Sequence, residues 1–490
     1  MDRKSQYKHK SADVDAIRNR NRNEEIALRK EKKEKLLSSK RFRLAEGEEI
    51  TDEYSISEVK TTTSNLKKSG THTLASLKLL RQAFSQGTAY IDAFFSEENA
   101  LHTLVGLYTG TNSEFQIEAG WCITNISAGS HDHAMSVTKY VAPYLVAYLS
   151  SDNYLLQDQS AWALGNLAGD SQECRNMVRA QGVVAPLIKL SQSQHPAVVQ
   201  SAAFALSNLA KECIEISREM VQGKVIPALL PHFTFSPENI DVLSEVSWVF
   251  TYLATSGEFS EDLVIHGILT QVVVLLIQLS GVQPHIAKVV TPLLRCLGNL
   301  CSGPDEYTIM VCENAQLLPV LGTYLNSDHR HIKKETLWVL SNITSEPKAC
   351  TAVTYSPLLQ LILEQVPAAF DIKMEALYVL CNLACHGEEI CSHLVSNGVL
   401  QQVTPVLKSS DVEILNLGLS LVEMSLRMTQ NGCHVFEECD GVPRLEALDY
   451  HNNDTIRRQA SDLLDMYFYG ESQLVIYVRP SNFNWNSFLL

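Results

Sequence analysis

Apolar residues recur along most of the chain with a helical period, and this pattern itself repeats about every forty residues. A five-residue motif, in which asparagine or tyrosine follows an aromatic or basic residue by four places, has the same phase in each copy. Successive copies begin 41, 42, 44, 47, 43 and 40 residues apart. A period of this length predicts helical units that stack because none can bury its apolar face alone. The copies are WCITN at Trp121, WALGN at Trp162, FALSN at Phe204, WVFTY at Trp248, RCLGN at Arg295, WVLSN at Trp338 and YVLCN at Tyr378.

Within a copy, glycine and proline recur ahead of a run of leucines and valines, as Gly182 with Pro186 and Gly223 with Pro227 illustrate. Glycine commonly ends a helix. Proline is tolerated in a first helical turn, where its missing N–H costs little. Each copy is therefore predicted to fold as a short helix, a second helix that begins near the proline, and a longer third helix that carries the motif.

The apolar pattern extends beyond the seven motifs. Residues 71–86 have the same hydrophobic period upstream, and the pattern continues downstream around Met424 and Met466. These copies bring the total to about ten. The predicted fold class is therefore all-α: an armadillo-repeat, right-handed superhelical solenoid over residues 71–468, with a flexible basic arm before it.

Each motif places two side chains one helical turn apart on the same face of a helix. An asparagine amide has a donor and an acceptor, which match the C=O and N–H of an extended peptide. Neighbouring indoles form slots for the stems and charges of lysine and arginine, and nearby acids select those charges. Asp170 follows Asn166 by four residues, and Glu245, Asp305 and Glu375 lie near other motifs. The pattern predicts a groove that binds an extended cationic peptide.

The alternative interpretation is that each tryptophan and asparagine only packs against a neighbour or caps a helix. At any single motif this alternative is the simpler one. For the set as a whole the fixed phase argues against it. Core positions would tolerate leucine or isoleucine, and ordinary surface positions would not repeat tryptophan.

Charge is distributed unevenly along the chain. Residues 1–43 contain 15 Lys/Arg and 7 Asp/Glu, a net charge of +8, so the remainder carries −23. The arm has too few apolar residues to bury, so it is predicted to be disordered or a lone marginal helix that binds an acidic partner. The alternative is a solvated charged helix or the start of a coiled coil. The acidic body argues against direct binding of nucleic acid.

Two further segments complete the predicted domain organisation. Residues 44–70 are rich in charged and hydroxyl side chains and are predicted to be a flexible linker. Residues 469–490 are rich in aromatic side chains and are predicted to cap the last repeat. No function is assigned to that tail.

Several kinds of chemistry are not expected. Twelve cysteines without CxxC pairs predict reduced thiols in an intracellular protein. The cysteines and histidines between positions 381 and 393 lack paired zinc-ligand spacing and are interpreted as helix residues, so no metal or cofactor is expected. The sequence contains no Gly-rich phosphate loop, GxSxG or HExxH, so no enzyme is predicted. Residues 263–279 are apolar but short for a membrane span, and they suit a buried helix pair.

Over roughly residues 10–470, these motifs closely resemble the importin-α family, nuclear-import adaptors with ten armadillo repeats. They also resemble a divergent armadillo-type family called transmembrane and coiled-coil domain-containing protein six. The resemblance implies two grooves for nuclear localisation signals. The implied major-groove residues are Trp121, Asn125, Gly129, Gln159, Trp162, Asn166, Asp170, Phe204, Asn208 and Glu245. The implied minor-groove residues are Arg295, Asn299, Asp305, Trp338, Asn342, Glu375, Tyr378 and Asn382.

The resemblance also implies that residues 1–43 bind importin-β. Lys40, Arg41 and Arg43 resemble a signal mimic that occupies the groove of its own chain until importin-β draws the arm away. Residues 454–468 resemble the repeat on which an export receptor docks. The implied importin-β-binding residues are Arg18, Arg20, Arg22, Arg29, Lys30, Lys32, Lys33, Lys40 and Arg41.

The resulting hypothesis is an adaptor that carries proteins with basic signals and shuttles between cytoplasm and nucleus. The alternative is an armadillo scaffold for another extended partner, with import activity lost or weakened. Phe204 and Tyr378, which replace tryptophan, favour this alternative, and Ala134 stands where the family usually has threonine. A third, membrane-associated interpretation rests on residues 263–279 alone.

Overall fold

The structure is a computed structural model that describes residues 40–44, 54–67 and 72–469. Within these ranges all regular elements are helices, and none is a strand. The helices form two compact units, divided between Val339 and Leu340. The predicted tail beyond Tyr469 lies outside the described residues. So do the predicted arm residues Arg18, Arg20, Arg22, Arg29, Lys30, Lys32 and Lys33.

The first unit is built from the helices that precede residue 340. They are α1 (Ile56–Leu66), α2 (Thr73–Gln86), α3 (Thr88–Phe95), α4 (Ala100–Tyr108), α5 (Ser113–Ser127), α6 (His131–Tyr140), α7 (Ala142–Tyr148), α8 (Tyr154–Asp170), α9 (Gln172–Ala180) and α10 (Val184–Leu190). There follow α11 (Pro196–Ala210), α12 (Ile214–Gln222), α13 (Val225–Leu229), α14 (Ile240–Thr255), α15 (Ser260–Ile265), α16 (Ile268–Ser280), α17 (Ala287–Cys301), α18 (Asp305–Cys312) and α19 (Leu317–Leu325). The unit ends within α20 (Arg330–Ile343).

The three-helix unit predicted from the sequence is confirmed in α6, α7 and α8. Pro143 lies in the first turn of α7, where no helical N–H is lost. Asn153 caps α8 by accepting a hydrogen bond from the Leu155 amide. The long third helices α2, α5, α8, α11 and α14 pack side by side in chain order, and α17 packs on α14. Because the first five motifs are on α5, α8, α11, α14 and α17, this packing brings these five motifs next to each other.

The apolar stretch 263–279 forms the end of α15 and most of α16, as predicted. Gly267 separates the two helices with a φ of 78°, a left-handed conformation that glycine adopts without strain. Leu263, Leu276 and Leu279 are fully buried. Among the described residues, no helix is both long enough and apolar enough to cross a membrane.

The prediction that residues 44–70 are a flexible linker is wrong for part of that range. Helix α1 begins after Ser55, which accepts a hydrogen bond from the Glu58 amide, and it packs on α2 and α3. One face of this helix is buried. It consists of Val59 and Leu66, with Thr62 and Thr63 between them. The threonine methyl groups therefore complete an apolar face that the sequence interpretation counted as polar.

The second unit continues the pattern of short and long helices. Its third helices α23, α26 and α29 pack in order, and α26 and α29 contain Met424 and Met466. The extension of the repeats beyond the last motif is therefore confirmed. The helices after α20 are α21 (Pro347–Thr354), α22 (Leu358–Leu363), α23 (Phe370–Ala384), α24 (Glu388–Ser396), α25 (Val399–Val403), α26 (Val412–Met428), α27 (Gly432–Glu438), α28 (Gly441–Leu448) and α29 (Asp454–Tyr467).

Candidate peptide-binding groove

The motif asparagines are held in place by the repeat that precedes each of them. Asn166 Nδ2 donates to the Thr124 carbonyl at 3.1 Å, and Asn208 Nδ2 donates to the Gly165 carbonyl at 2.9 Å. Asn299 donates in the same way to the Thr251 carbonyl. Each acceptor carbonyl belongs to the fourth residue of the motif in the preceding repeat. The bond joins neighbouring third helices and fixes the plane of the amide, while the amide oxygen and the second N–H remain for other partners.

Two of these amides bind the backbone of residues 40–44 of the same chain. The Arg41 amide donates to Asn166 Oδ1 at 2.8 Å, and Asn166 Nδ2 donates to the Arg41 carbonyl at 3.1 Å. Asn125 makes the same pair of bonds to Arg43, at 2.8 and 3.1 Å. Trp162 Nε1 adds a bond to the Arg41 carbonyl. Alternate residues of the segment therefore meet consecutive repeats, as an extended strand requires.

The Lys40 ammonium lies at the end of the segment nearest Asp170. It donates to Asp170 Oδ1 at 2.7 Å and to the Gly129 carbonyl, just past the C-terminus of α5, at 2.5 Å. The repeat leaves no room for a side chain at position 129, because a Cβ there would lie 2.7 Å from His133 Nδ1 and 3.1 Å from Ile91 Cδ1. A carboxylate and a helix C-terminus together form a site for a compact cation.

His131, which the sequence analysis did not identify, is the second partner of Asp170. Its Nδ1 lies 2.6 Å from Asp170 Oδ2. Burial opposes ionisation of Asp170, but the hydrogen bonds and charges of Lys40 and His131 together outweigh it and hold the pKa of Asp170 below its usual value. Among the described residues, His131, Asp170 and Cys174 are the one group whose ligand atoms, within 4.8 Å of one another, could hold a metal ion. Here that carboxylate binds Lys40.

The side chain of Arg43 occupies a slot between two indoles. Its Cζ lies 4.5 Å from the ring centroid of Trp162 and 5.3 Å from that of Trp121. Arg43 Nη1 donates to Asp158 Oδ2 at 2.9 Å, and Asp158 is 5% exposed. Gln159 Nε2 donates to the same oxygen at 3.1 Å, so Gln159 supports the acid that binds Arg43.

Asp158 is a binding-site acid that the sequence interpretation missed. It precedes Trp162 by four residues, so the helical periodicity already places it on the face of the motif. Its other oxygen accepts a 2.5 Å hydrogen bond from Ser201 Oγ on the next third helix. Asp158 thus joins neighbouring repeats and presents its charge at the end of the Arg43 slot.

The side chain of Arg41 occupies a second slot. Its Cζ lies 4.9 Å from the ring centroid of Phe204, and Nη1 lies 2.5 Å from Glu245 Oε1. Glu245 is 3% exposed. Burial raises the pKa of this carboxyl, and Arg41 offsets only part of that effect. The rings of Phe204 and Trp162 stack at 4.5 Å, because Gly165 leaves space for Phe204 against α8: a Cβ there would lie 2.6 Å from the ring.

Arg295 contacts an aromatic ring and a buried acid, as Arg41 and Arg43 do, but Arg295 belongs to the repeats themselves. Its Cζ lies 5.4 Å from the ring centroid of Trp248, and Nη2 lies 2.8 Å from Glu335 Oε1. Arg81 repeats the arrangement at the other end, with Trp121 at 5.5 Å and Glu118 at 3.2 Å. Neither of these acids was predicted from the sequence, and Arg295 was predicted only as an implied peptide-binding residue.

The other implied minor-groove residues of the first unit lie on α17, α18 and α20. The second N–H of Asn299 donates to Thr255 Oγ1 at 3.1 Å. The Trp338 ring packs on Gly298, where a Cβ would lie 2.3 Å from the ring. Asp305 is exposed at the start of α18.

In the second unit, the implied residues lie on α20 and α23. Asn382 Nδ2 donates to the Ser341 carbonyl at 2.7 Å, which repeats the bond made by the earlier asparagines. The Tyr378 hydroxyl donates to Glu413 Oε1 at 2.6 Å. Glu375 is 5% exposed, and Asn342 is half-buried.

Comparison with known proteins finds two family models. One, described as TMCO6, matches residues 63–468, and another, the importin beta binding domain, matches residues 3–88. Importin subunit alpha-9 of Arabidopsis thaliana is 30% identical over 73% of this chain and 72% of its own length. Importin subunit alpha-2 of Oryza sativa subsp. japonica is 29% identical over 94% of this chain and 95% of its own length. The crystal structure of an engineered protein matches with a TM-score of 0.73 and 23% identity over 83% of this chain and 98% of that one, which bears on the fold alone.

Proposed function

Since the chain belongs to the importin-α family of armadillo-repeat proteins and to the family described as TMCO6, we propose that it is a non-enzymatic nuclear-import adaptor. Its groove binds the basic localisation signals of cargo proteins, and its N-terminal arm binds importin-β. The proposal includes shuttling between cytoplasm and nucleus. Docking of an export receptor at residues 454–468 and a second signal site at the implied minor-groove residues remain predictions.

The observation that carries this proposal is the pairing of Asn125 and Asn166 with alternate backbone groups of a cationic segment. Amides that bind only backbone accept many sequences, whereas acids at the slot ends require positive charge. A receptor for many cargoes needs this combination. The three cations of residues 40–43 supply the charge in this arrangement.

The position of residues 40–44 supports regulation by competition. A segment tethered to its own groove competes with a separate peptide at high effective concentration. Importin-β would bind the arm, remove the segment and thereby favour cargo binding, because the two events share residues 40 and 41. Cargo loading and importin-β binding are then thermodynamically coupled.

The experiment measures binding of a fluorescent peptide with the sequence SSKRFRLA, residues 38–45, by anisotropy. The receptor is the full-length triple variant Lys40→Ala, Arg41→Ala and Arg43→Ala, whose groove is free of its own cations. We expect saturable binding that weakens as salt rises. Adding importin-β to the unmodified chain should raise its peptide affinity. Absence of binding at low salt would refute the signal-receptor function.

A scaffold for another extended partner is a second candidate function, and one observation favours it. Trp162 and Phe204 stack directly on each other, so no side-chain stem can pass between those two rings. Affinity capture separates the candidates, with the triple variant used for groove partners and the unmodified chain used for importin-β. A scaffold would retain extended partners that lack basic clusters and would not form a complex with importin-β.

A further inference from the structure

We propose that His131, Asp170 and Cys174 form a binding site for Zn²⁺, and that zinc bound there weakens the binding of a lysine side chain in the groove. The metal site itself does not depend on the proposed function. Its effect on peptide binding does, since Asp170 is the carboxylate that binds Lys40.

The three side chains come from two neighbouring repeats. His131 is the first residue of α6, Asp170 is the last residue of α8, and Cys174 lies in the first turn of α9. Ser171, between α8 and α9, accepts a hydrogen bond from the Cys174 amide at 3.2 Å and so fixes the turn that holds Cys174 beside Asp170. Because 39 residues separate His131 from Asp170, the short spacings typical of zinc-binding motifs do not reveal this site.

The ligand atoms lie close to the distances that a zinc ion requires. His131 Nδ1, Asp170 Oδ2 and Cys174 Sγ are all within 4.8 Å of one another. Neighbouring nitrogen, oxygen and sulfur ligands of a tetrahedral zinc are about 3.3 to 3.6 Å apart. Cys174 Sγ lies 3.5 Å from Oδ2. His131 Nδ1 lies 2.6 Å from Oδ2 and would move away by less than about 1 Å, a shift for which its 56% exposed side chain has room.

This set of ligands favours zinc over the hard cations. Ca²⁺ and Mg²⁺ prefer oxygen ligands. Zn²⁺ binds thiolate, imidazole and carboxylate together, and three protein ligands leave a fourth position for water. When the sulfur of Cys174 binds the metal, the thiol proton passes to the solvent. Cys174 is fully buried, so the exposed side of the site at His131 is the route by which the metal enters.

Charge couples the metal to the lysine site. Asp170 binds the Lys40 ammonium through Oδ1, at 2.7 Å, and His131 through Oδ2. At a pH at which the imidazole is neutral, the three side chains without metal carry one negative charge, that of Asp170. Zinc adds two positive charges and the thiolate adds one negative charge, so the metal-bound group is neutral. The lysine ammonium then lies next to a neutral group instead of an anion, and its binding weakens.

The first test measures metal binding alone, on the full-length triple variant kept under reducing conditions. Co²⁺ is used in place of Zn²⁺ because it gives a charge-transfer absorption when a thiolate binds it. We expect both Cys174→Ser and His131→Asn to lose one equivalent of this absorption. His131 is exposed, so His131→Asn tests the same site without a change in the core.

Cys213→Ser is the matched control for this measurement. Cys213 Sγ also lies 3.5 Å from a carboxylate oxygen, that of Glu215, but among the described residues it belongs to no group of three metal ligands. The control should therefore retain the cobalt absorption that Cys174→Ser loses. Equal absorption in Cys174→Ser and Cys213→Ser would overturn the proposal.

The second test measures the effect of zinc on peptide binding by fluorescence anisotropy. Zn²⁺ should weaken binding of SSKRFRLA to the triple variant about fivefold. The effect should disappear in Cys174→Ser, persist in Cys213→Ser, and be absent for a peptide with the change equivalent to Lys40→Ala. An equal response of both peptides to zinc would overturn the coupling. Failure of SSKRFRLA to bind without metal would instead refute the proposed function, and the cobalt result would stand independently of it.

Discussion

Two parts of the first unit combine an aromatic ring, a buried acid and a guanidinium, but they differ in where the guanidinium comes from. At Trp162 with Asp158 and at Phe204 with Glu245, it comes from Arg43 and Arg41, which lie outside the repeats. At Trp248 with Glu335, it comes from Arg295 within helix α17. The first arrangement can be exchanged for a ligand, whereas the second is part of the fold. Similar side chains thus serve binding in one place and packing in the other.

The largest expected effect concerns the ion pair of Arg295 with Glu335, which is part of the fold. Arg295→Ala removes the guanidinium that lies 2.8 Å from the carboxylate of Glu335, a residue that is 2% exposed. We expect the free energy of unfolding to fall by about 3 kcal/mol, measured by urea unfolding followed by circular dichroism. Arg41→Ala removes a half-exposed, exchangeable partner, so its effect should be below about 1 kcal/mol.

A double change provides the control for Arg295. Arg295→Met with Glu335→Leu removes both charges and keeps apolar volume, so most of the lost stability should return. Equal unfolding curves for Arg295→Ala and Arg41→Ala would contradict the claim that Arg295 stabilises the fold whereas Arg41 acts as an exchangeable ligand.

The second-largest expected effect distinguishes Asn166 from Asn299 by their contributions to peptide affinity. On the triple variant, Asn166→Ala removes both bonds to the peptide backbone, and we expect about thirtyfold weaker binding of SSKRFRLA, or about 2 kcal/mol. Asn299→Ala removes a repeat-to-repeat bond without a peptide contact, so the change in affinity should stay below about twofold. Both variants lose a bond between third helices, so urea unfolding controls for stability. A similar loss of affinity in both would contradict the assignment.

The smallest effect is a dependence on pH. Burial raises the pKa of Glu245 above its ordinary 4.5, and a bound arginine lowers it again only in part. Arginine therefore binds better to the ionised groove, and affinity should fall as the pH decreases through the raised pKa. We expect about threefold weaker binding at about pH 5 than at about pH 7. Glu245→Gln should lower affinity and remove this dependence. A dependence that persists in the variant would assign it to another group.

The repeats and their spacing could be predicted from the sequence, because helical periodicity and motif phase are local properties. Identifying the exchangeable acids was harder. Glu245 and Asp170 lie near motifs, but Asp158 was missed although it shares the face of Trp162. The pairing of Arg295 with Glu335 depends on packing between third helices, which spacing alone does not determine. The stack of Phe204 on Trp162 depends on the space above Gly165, and helix α1 depends on the methyl groups of Thr62 and Thr63.

The central claim is that the amides and slots of the first unit bind a cationic strand and that residues 40–43 compete for them. The most direct test measures the affinity of SSKRFRLA for the unmodified full-length chain and for the triple variant, side by side. The account predicts binding at least about tenfold tighter to the triple variant, because its groove is free of the tethered cations. Equal affinities, or tighter binding to the unmodified chain, would contradict it.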